Sequence, residues 1–259
     1  MTESDLVSII VPTFNGSKYI REAIESALKQ SYPSKEVLVV DDQSTDATLS
    51  VLEEYSDVKV VRTPTRLGSD LASNYGVQRT AGEYISLLGH DDVLCEGKTT
   101  KVLAALVEGD RDIAYADAIT IDENGHETGA IKGLPYRNRG ALLRRNIILL
   151  GTAVIRRTYW DRFGGFRDFE GYGDYDLWLR SSGSWRPAYV SEWVLLYRQH
   201  SGQLGHVHPW TKMIAEGRLL DAIRGQAKKY HVWLLLREIR RQTREAIRSD
   251  VGRNESSRT

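Results

Sequence analysis

The feature that most constrains this chain is an alternation over residues 6–89. Continuous apolar runs occur at LVSIIVP (6–12), EVLVVDD (36–42), VKVVR (58–62) and EYISLLG (83–89). β-Branched runs of this length, closed by proline, acids or glycine, read as strands buried on both faces. Between them lie SKYIREAIESALKQ (17–30), STDATLSVLEEY (44–55) and SDLASNYGVQRT (69–80). Tyr19, Ile20, Ala23, Ile24, Ala27 and Leu28 recur at helical spacing, with Ser17 as expected cap; Ser44 or Thr45 is the expected cap of the second helix. Strand and helix joined by short connections imply right-handed βαβ units, a mostly parallel sheet and helices on both faces. Ligands of such sheets bind at the carboxyl ends of the strands.

Three of those ends are polar: PTFNG (12–16), DDQSTD (41–46) and GHDD (89–92). They are expected to converge on one crevice. Adjacent carboxylates repel, so Asp91 and Asp92 require a cation, a ligand or open water. Hard oxygen ligands with an open coordination sphere suit Mg²⁺ or Mn²⁺, with a diphosphate completing the sphere. The structural alternative is a solvated turn with Asp as helix cap. Asp41 and Asp42 pose the same choice: one acid caps a helix, and the other faces the crevice to accept a hydrogen bond from a base or a ribose.

Composition narrows the class. The 259 residues are 41% hydrophobic and 27% charged, with zero formal net charge, so no global field draws nucleic acid. Cys95 is the sole cysteine, which rules out an internal disulfide and suits a reducing, cytoplasmic setting. The N-terminus lacks the basic start and apolar stretch of a signal peptide, and the longest apolar run, IILLGTAVI from Ile147, is too short to span a bilayer.

Beyond Lys98 the pattern loosens. DIAYADAITID, GTAVIRR and WVLLYRQH read as strands, ENGHETG as a turn into another, and GDYDLWLRSSG as a short helix ended by glycine. Residues 209–259 read as a helical, basic extension in which Arg224, Lys228, Lys229, Arg237, Arg240, Arg241, Arg244 and Arg248 face Glu238 and Glu245. Such a helix can lie on an anionic membrane surface, here the inner face, or pack on its own domain or a homodimer partner.

The segments VSIIVPTFNG, VLVVDDQSTDAT, AGEYISLLGHDDVL and FGGFRDFEGYGDYDLWLR together resemble the family 2 glycosyltransferases of GT-A fold, in the family's order, over roughly residues 6 to 200. The resemblance implies an α/β, Rossmann-like GT-A domain over 1–208, with a nucleotide-binding half to about residue 97 and an acceptor half beyond. It implies inverting transfer of a sugar from a nucleoside diphosphate donor, foremost a UDP-sugar, to a glycan or lipid-linked glycan hydroxyl. Pro12, Thr13, Phe14 and Asn15 would line the base pocket, Asp42 would bind the base, and Asp91 the ribose or the metal. Asp92 would hold Mn²⁺ or Mg²⁺, with His200 approaching the same metal. Asp174 falls where the family places its catalytic base, with Asp168, Glu170 and Asp176 as rivals.

The chain also departs from the family pattern. His90 stands in the acidic motif. Gly173 stands where the family often has Glu, and Arg66 and Ser73 where it commonly has Asn and Arg. Arg66 is therefore a candidate contact to base or phosphate. These departures keep open a non-catalytic nucleotide-sugar-binding or scaffold protein of the same fold. A nucleotidyltransferase would want a glycine-rich basic loop after the first strand, and a dehydrogenase G-x-G-x-x-G; PTFNGSKYI has neither.

Overall fold

A computed structural model describes residues 5–203, apart from positions 145 and 170. The 209–259 extension lies outside the described residues. The chain runs β1 (Val7–Thr13), α1 (Ile20–Leu28), β2 (Lys35–Asp41), α2 (Thr48–Leu52), β3 (Lys59–Arg62), α3 (Ser69–Val77) and β4 (Tyr84–Leu87). It continues through β5 (Val93–Leu94), α4 (Lys98–Glu108), β6 (Ile113–Ile121), β7 (Glu127–Ile131) and α5 (Arg139–Arg144). The last elements are β8 (Val154–Arg156), α6 (Arg157–Phe163), α7 (Gly173–Ser181) and β9 (Pro187–Arg198).

The strands form one sheet in the order β3-β2-β1-β4-β8-β6-β9-β5, with β7 on β6. The expected parallel pairing is concentrated in β3-β2-β1-β4. The other half is mixed: β8 is antiparallel to both β4 and β6, whereas β6 and β9 are parallel. The reason lies in the connections. A hairpin-like return such as β6 to β7 needs only a tight turn, whereas each parallel step needs a helical crossover.

Both faces of β1 and β2 are covered, which explains their unbroken apolar runs. Val7, Ile9, Val11, Val37 and Val39 pack on α1 and α4 through Ile20, Ile24, Val102, Leu103 and Leu106. Ile10, Leu38 and Val40 face the other layer, built from α3, α6 and α7 with Trp160, Tyr175 and Trp178. Lys98 in the first turn of α4 is fully buried; its Nζ donates to Ser86 Oγ at 2.5 Å and to the Ala153 carbonyl at 3.0 Å, and burial pushes its pKa down to about 7.

Two expected helix caps are different in the structure. Ser17 does not cap α1, which starts at Ile20 behind Tyr19 with no side-chain cap. Ser44 and Thr45 do not cap α2, which is reduced to Thr48–Leu52. Ser44 Oγ instead accepts the Asn15 N–H at 3.0 Å, and Asp46 Oδ1 accepts the Thr48 N–H at 3.0 Å. Loop-to-loop bonding at the strand ends competes successfully with local capping for these hydroxyls. Among the described residues no helix is long and apolar enough to cross a membrane.

Helix α3 lies almost directly on the sheet at Gly76. A Cβ there would meet Ile10 Cγ2 at 2.6 Å and Val40 Cγ2 at 2.8 Å. Those methyls are in the core, so Gly76→Ala is expected to lower stability by about 1–3 kcal/mol through overpacking. Urea denaturation reads this as a lower midpoint at unchanged slope; an unchanged midpoint would show that the helix can lift freely.

Candidate active site

The three polar strand ends meet. A crevice of about 670 Å³ is lined by Pro12, Thr13, Phe14, Asn15, Asp42, His90, Asp91 and Asp92, and by Arg66, Asp174 and His200. That volume suits a nucleotide-sized ligand. Every residue expected to form the site therefore borders one cavity.

The β1 end is shaped by Asn15, which has a positive φ of 51°. Asn15 tolerates that region because its side chain bonds locally: Oδ1 accepts the Thr45 N–H at 2.8 Å. Gly16 N donates to Thr48 Oγ1 at 2.9 Å, so the loops after β1 and β2 are stitched together. A Cβ on residue 16 would meet Thr13 Oγ1 at 2.4 Å and the His90 ring at 2.7 Å, which is why glycine is required there. His90 thus packs against the β1 loop, and burial holds its imidazole below the usual histidine range.

The acids at the end of β2 depart from the two expected roles: Asp41 caps no helix, and Asp42, expected to bind the base, has both carboxylate oxygens bonded to the loop after β3. Asp41 accepts the Ser44 N–H at 3.2 Å and pairs with Arg62 Nε at 3.1 Å. Asp42, 1% exposed, is fully engaged by the loop after β3. Its Oδ1 accepts Thr63 Oγ1–H and Leu67 N–H, both at 2.8 Å; its Oδ2 accepts Gly68 N–H at 2.8 Å and pairs with Arg66. The Arg66 guanidinium lies over the Phe14 ring, 3.5 Å from its centroid. Phe14, Arg66 and Asp42 therefore form one unit: an aromatic face, a planar cation and the carboxylate that aims it.

The chain also separates Asp91 from Asp92. After β4 it turns into β5, which pairs antiparallel with the end of β9. That pairing brings Arg198 N within 2.9 Å of Asp92 Oδ1 and Arg198 Nε within 2.8 Å of the Asp91 carbonyl. Asp92, expected to hold the metal, is turned inward on the β9 backbone at 6% exposure. Burial, with the Asp91 charge beside it, holds its carboxyl well above the usual carboxylate range. Asp91 points outward instead, and its Oδ2 is 3.0 Å from His200 Nε2. The two residues are 109 positions apart, and the β5–β9 pairing is what joins them.

Asp174 occupies the first turn of α7, facing the crevice. Its Oδ2 accepts from Asn146 Nδ2 at 3.2 Å and its Oδ1 from the Tyr175 N–H at 2.6 Å. Burial, reinforced by Asp70, raises its pKa to about 7. Of the rival acids, Asp176 is buried and bound to Arg180 Nε at 2.8 Å, Asp168 is exposed, and Glu170 lies outside the described residues.

The decisive comparison is with family models. Residues 8–164 match the model described as "Glycosyl transferase family 2". The chain belongs to that family. An uncharacterized glycosyltransferase of Rickettsia typhi, RT0329, is 34% identical over 69% of this chain and 59% of its own length. A second, RP339 of Rickettsia prowazekii, is 33% identical over 68% of this chain and 58% of its own. The chain thus spans a little under three fifths of these relatives. Among solved structures, S. aureus TarS 1-349 in complex with UDP-GlcNAc superposes with a TM-score of 0.69 at 22% identity, over 89% of this chain and 70% of that one. The mannosyltransferase PcManGT from Pyrobaculum calidifontis, in complex with GDP-Man and Mn2+, gives 0.62 at 21% identity, over 90% and 68%. These likenesses show the fold shared with GT-A glycosyltransferases.

For a family 2 chain the question of a divalent cation turns on the donor set. Among the described residues no cluster of three or more His, Cys, Asp or Glu is assembled. The Asp91 carboxylate and His200 imidazole form a pair at the crevice edge, a hard oxygen and a borderline nitrogen; this partial donor set suits Mn²⁺ better than Mg²⁺ and needs phosphate oxygens and water to complete the sphere.

Two residues absent from the expectations shape this family 2 site. Asp70 and Asn74 stand on α3 at i and i+4. Asp70 accepts the N–H groups of Phe169, Gly171 and Gly173, and Asn74 brackets Phe166, accepting its N–H at 2.9 Å and donating to its carbonyl at 2.7 Å. Their signal in the sequence is two polar side chains sharing one face of a helix that otherwise packs on the sheet.

The grip of Asp42 gives a direct test. Asp42→Ala leaves the N–H groups of Leu67 and Gly68 without their acceptor, which is expected to cost about 2 kcal/mol. Hydrogen exchange at those two amides should accelerate beyond any global effect. Unchanged protection there would remove Asp42 as the organiser of the 63–68 loop.

Proposed function

We propose that this chain is an inverting glycosyltransferase that moves a sugar from a nucleoside diphosphate donor, foremost a UDP-sugar, to a hydroxyl of a glycan or lipid-linked glycan. The observation that carries the reading is Asp174: a half-buried carboxylate, tuned to about 7, on the wall of a crevice whose opposite wall carries Phe14, Arg66 and Asp91. A scaffold would have no use for a base of that strength aimed into its ligand site.

In this reading residues 1–97 bind the nucleotide and 98–208 the acceptor. The base stacks at Phe14, where Arg66, steered by Asp42, presents its fork to the base edge or a phosphate. Pro12, Thr13 and Asn15 shape that pocket; Thr13 Oγ1 is buried there with no hydrogen-bond partner among the described residues. Asp91 and His200 would hold Mn²⁺ or Mg²⁺ at the crevice edge. When bound, the cation stabilises negative charge on the leaving group by several kcal/mol. Asp92 acts behind them by fixing the end of β9, and so His200.

Asp174 accepts the proton of the acceptor hydroxyl as that oxygen attacks the anomeric carbon from the face opposite the diphosphate. The new C–O bond forms as the anomeric C–O bond to phosphate breaks. The nucleoside diphosphate leaves with the electron pair, and the proton stays on Asp174 until water takes it. Desolvation makes this carboxylate basic enough for the task.

The assay is sugar transfer from UDP-sugars with Mn²⁺, alongside calorimetric binding of UDP and GDP. Asp174→Asn should cut transfer by about 10²- to 10⁴-fold while leaving nucleotide binding intact. Undiminished transfer would overturn the assignment. Asp91→Ala and His200→Ala should each abolish the Mn²⁺-dependent part of UDP binding.

The pH dependence follows from the same residue. Transfer needs Asp174 ionised, so the rate should fall as pH drops through about 7. Stability should move the other way. A folded pKa raised above the unfolded value of about 3.9 means stability is lost as pH rises through that window. Asp174→Asn should therefore raise the denaturation midpoint at pH 8 relative to wild type, with the gain vanishing near pH 4. A destabilised variant at pH 8 would show that burial does not disfavour the ionised Asp174 carboxylate.

A further inference from the structure

Residue 173 cannot carry a side chain while Asp70 is in place. A Cβ on Gly173 would lie 2.8 Å from Asp70 Cγ, 2.9 Å from Asp70 Oδ1 and 2.8 Å from Phe166 Cβ. The neighbour with the catalytic carboxylate is thus a glycine, and the space beside it is filled by a carboxylate from another helix.

Asp70 enters that space from the first turn of α3 and is 5% exposed. Its Oδ2 alone accepts three backbone N–H groups: Phe169 at 3.0 Å, Gly171 at 3.0 Å and Gly173 at 3.2 Å. Burial pushes the Asp70 carboxyl above the usual carboxylate range, and the three N–H donors on one oxygen oppose that rise by favouring the ionised form. One helical turn later Asn74 closes on Phe166 from both sides. The 166–173 segment is therefore pinned to α3, and its last residue leads directly into α7 and Asp174.

We propose that Asp70 is a positioning residue for the transfer: it fixes the loop that delivers Asp174 and sets a second buried carboxylate in the space beside residue 173. The inference rests on the assignment of Asp174 as base. Asp70 touches no reacting atom; it acts through residue 174. The groups around Asp174 give that carboxylate its weight. Asn146 and the Tyr175 N–H bond to the carboxylate and favour its ionised form. The phenol of Tyr172 beside it and that of Tyr197 on β9 bear no charge at neutral pH, and Asp168 adds a second negative group near Asp70. Asp70 is the carboxylate that acts on Asp174 from α3.

The experiment is a carboxyl ¹³C NMR titration of the full chain, with the Asp174 resonance assigned by its loss in Asp174→Asn. In Asp70→Asn, which keeps an acceptor for the loop amides but removes the charge, the Asp174 midpoint should fall by roughly one pH unit. The acid limb of the transfer rate should shift with it, with donor KM unchanged. A midpoint unmoved in a folded Asp70→Asn protein overturns the proposal, because a purely structural Asp70 would leave it in place. In Asp70→Ala, the amides of Gly171 and Gly173 should lose protection against exchange; retained protection would overturn the loop-fixing role. If Asp70→Ala does not fold, the Asp70→Asn titration decides alone. The two readings fail separately: transfer that survives in Asp174→Asn removes the base, whereas the Asp70 effect is read from the resonance without any substrate.

Discussion

A buried carboxylate accepting backbone N–H groups is the interaction on which this molecule depends. It recurs wherever a loop must hold its shape without a strand or helix to support it. Asp42 binds the amides of Leu67 and Gly68, Asp70 those of residues 169, 171 and 173, and Asp92 that of Arg198. Asp117 takes the amide of Gly133, and the exposed Asp46 bridges those of Ser17 and Thr48 in the same way. Charge-assisted bonds of this kind are worth about 1.5–3 kcal/mol each. They let a sheet with irregular connections present a rigid rim of loops.

Against that background Asp91 and Asp174 stand apart. Both face the crevice, and their partners include side chains that a ligand could compete with: His200 for Asp91, and the exposed Asn146 for Asp174. One carboxylate meets an imidazole nitrogen at the crevice edge, and the other is raised to about 7 by its surroundings. Their environments differ as their proposed roles require, one to hold a cation and one to take a proton. The acids turned on amides are what keep these two in place.

Much of the architecture was legible from residue pattern alone. Strands covered on both faces leave continuous apolar runs, and their polar ends could be assigned to one crevice before any coordinates. The second half was less legible. β5 is two residues long and takes its meaning only from its partner on β9, far along the chain. That remote pairing decides which of two adjacent acids turns inward, so the choice between Asp91 and Asp92 could not be read locally. The caps at Ser17 and Ser44 were misread because loop-to-loop bonds between the β1 and β2 ends claimed the groups that would have served them. Asp70 is not legible locally, because an acid in the first turn of a helix has an ordinary explanation in the helix dipole. Its reach to the 169–173 loop is a tertiary fact.

The β5–β9 pairing also sets an order of assembly. Within the parallel half, the β1–β2 and β2–β3 pairs join strands that are neighbours in sequence and close short loops, whereas the β1–β4 pair closes over the elements between them. The Asp91–His200 pair closes a loop of more than one hundred residues, with a larger entropic cost than the β1–β2 and β2–β3 closures. A chain emerging from the ribosome would expose the Phe14 and Asp42 side of the crevice well before β9 is available to complete it. The molecule would thus pass through a stage with the Phe14–Arg66–Asp42 unit formed and neither His200 nor Asp174 in place. Completion of the reactive centre is coupled to completion of the sheet.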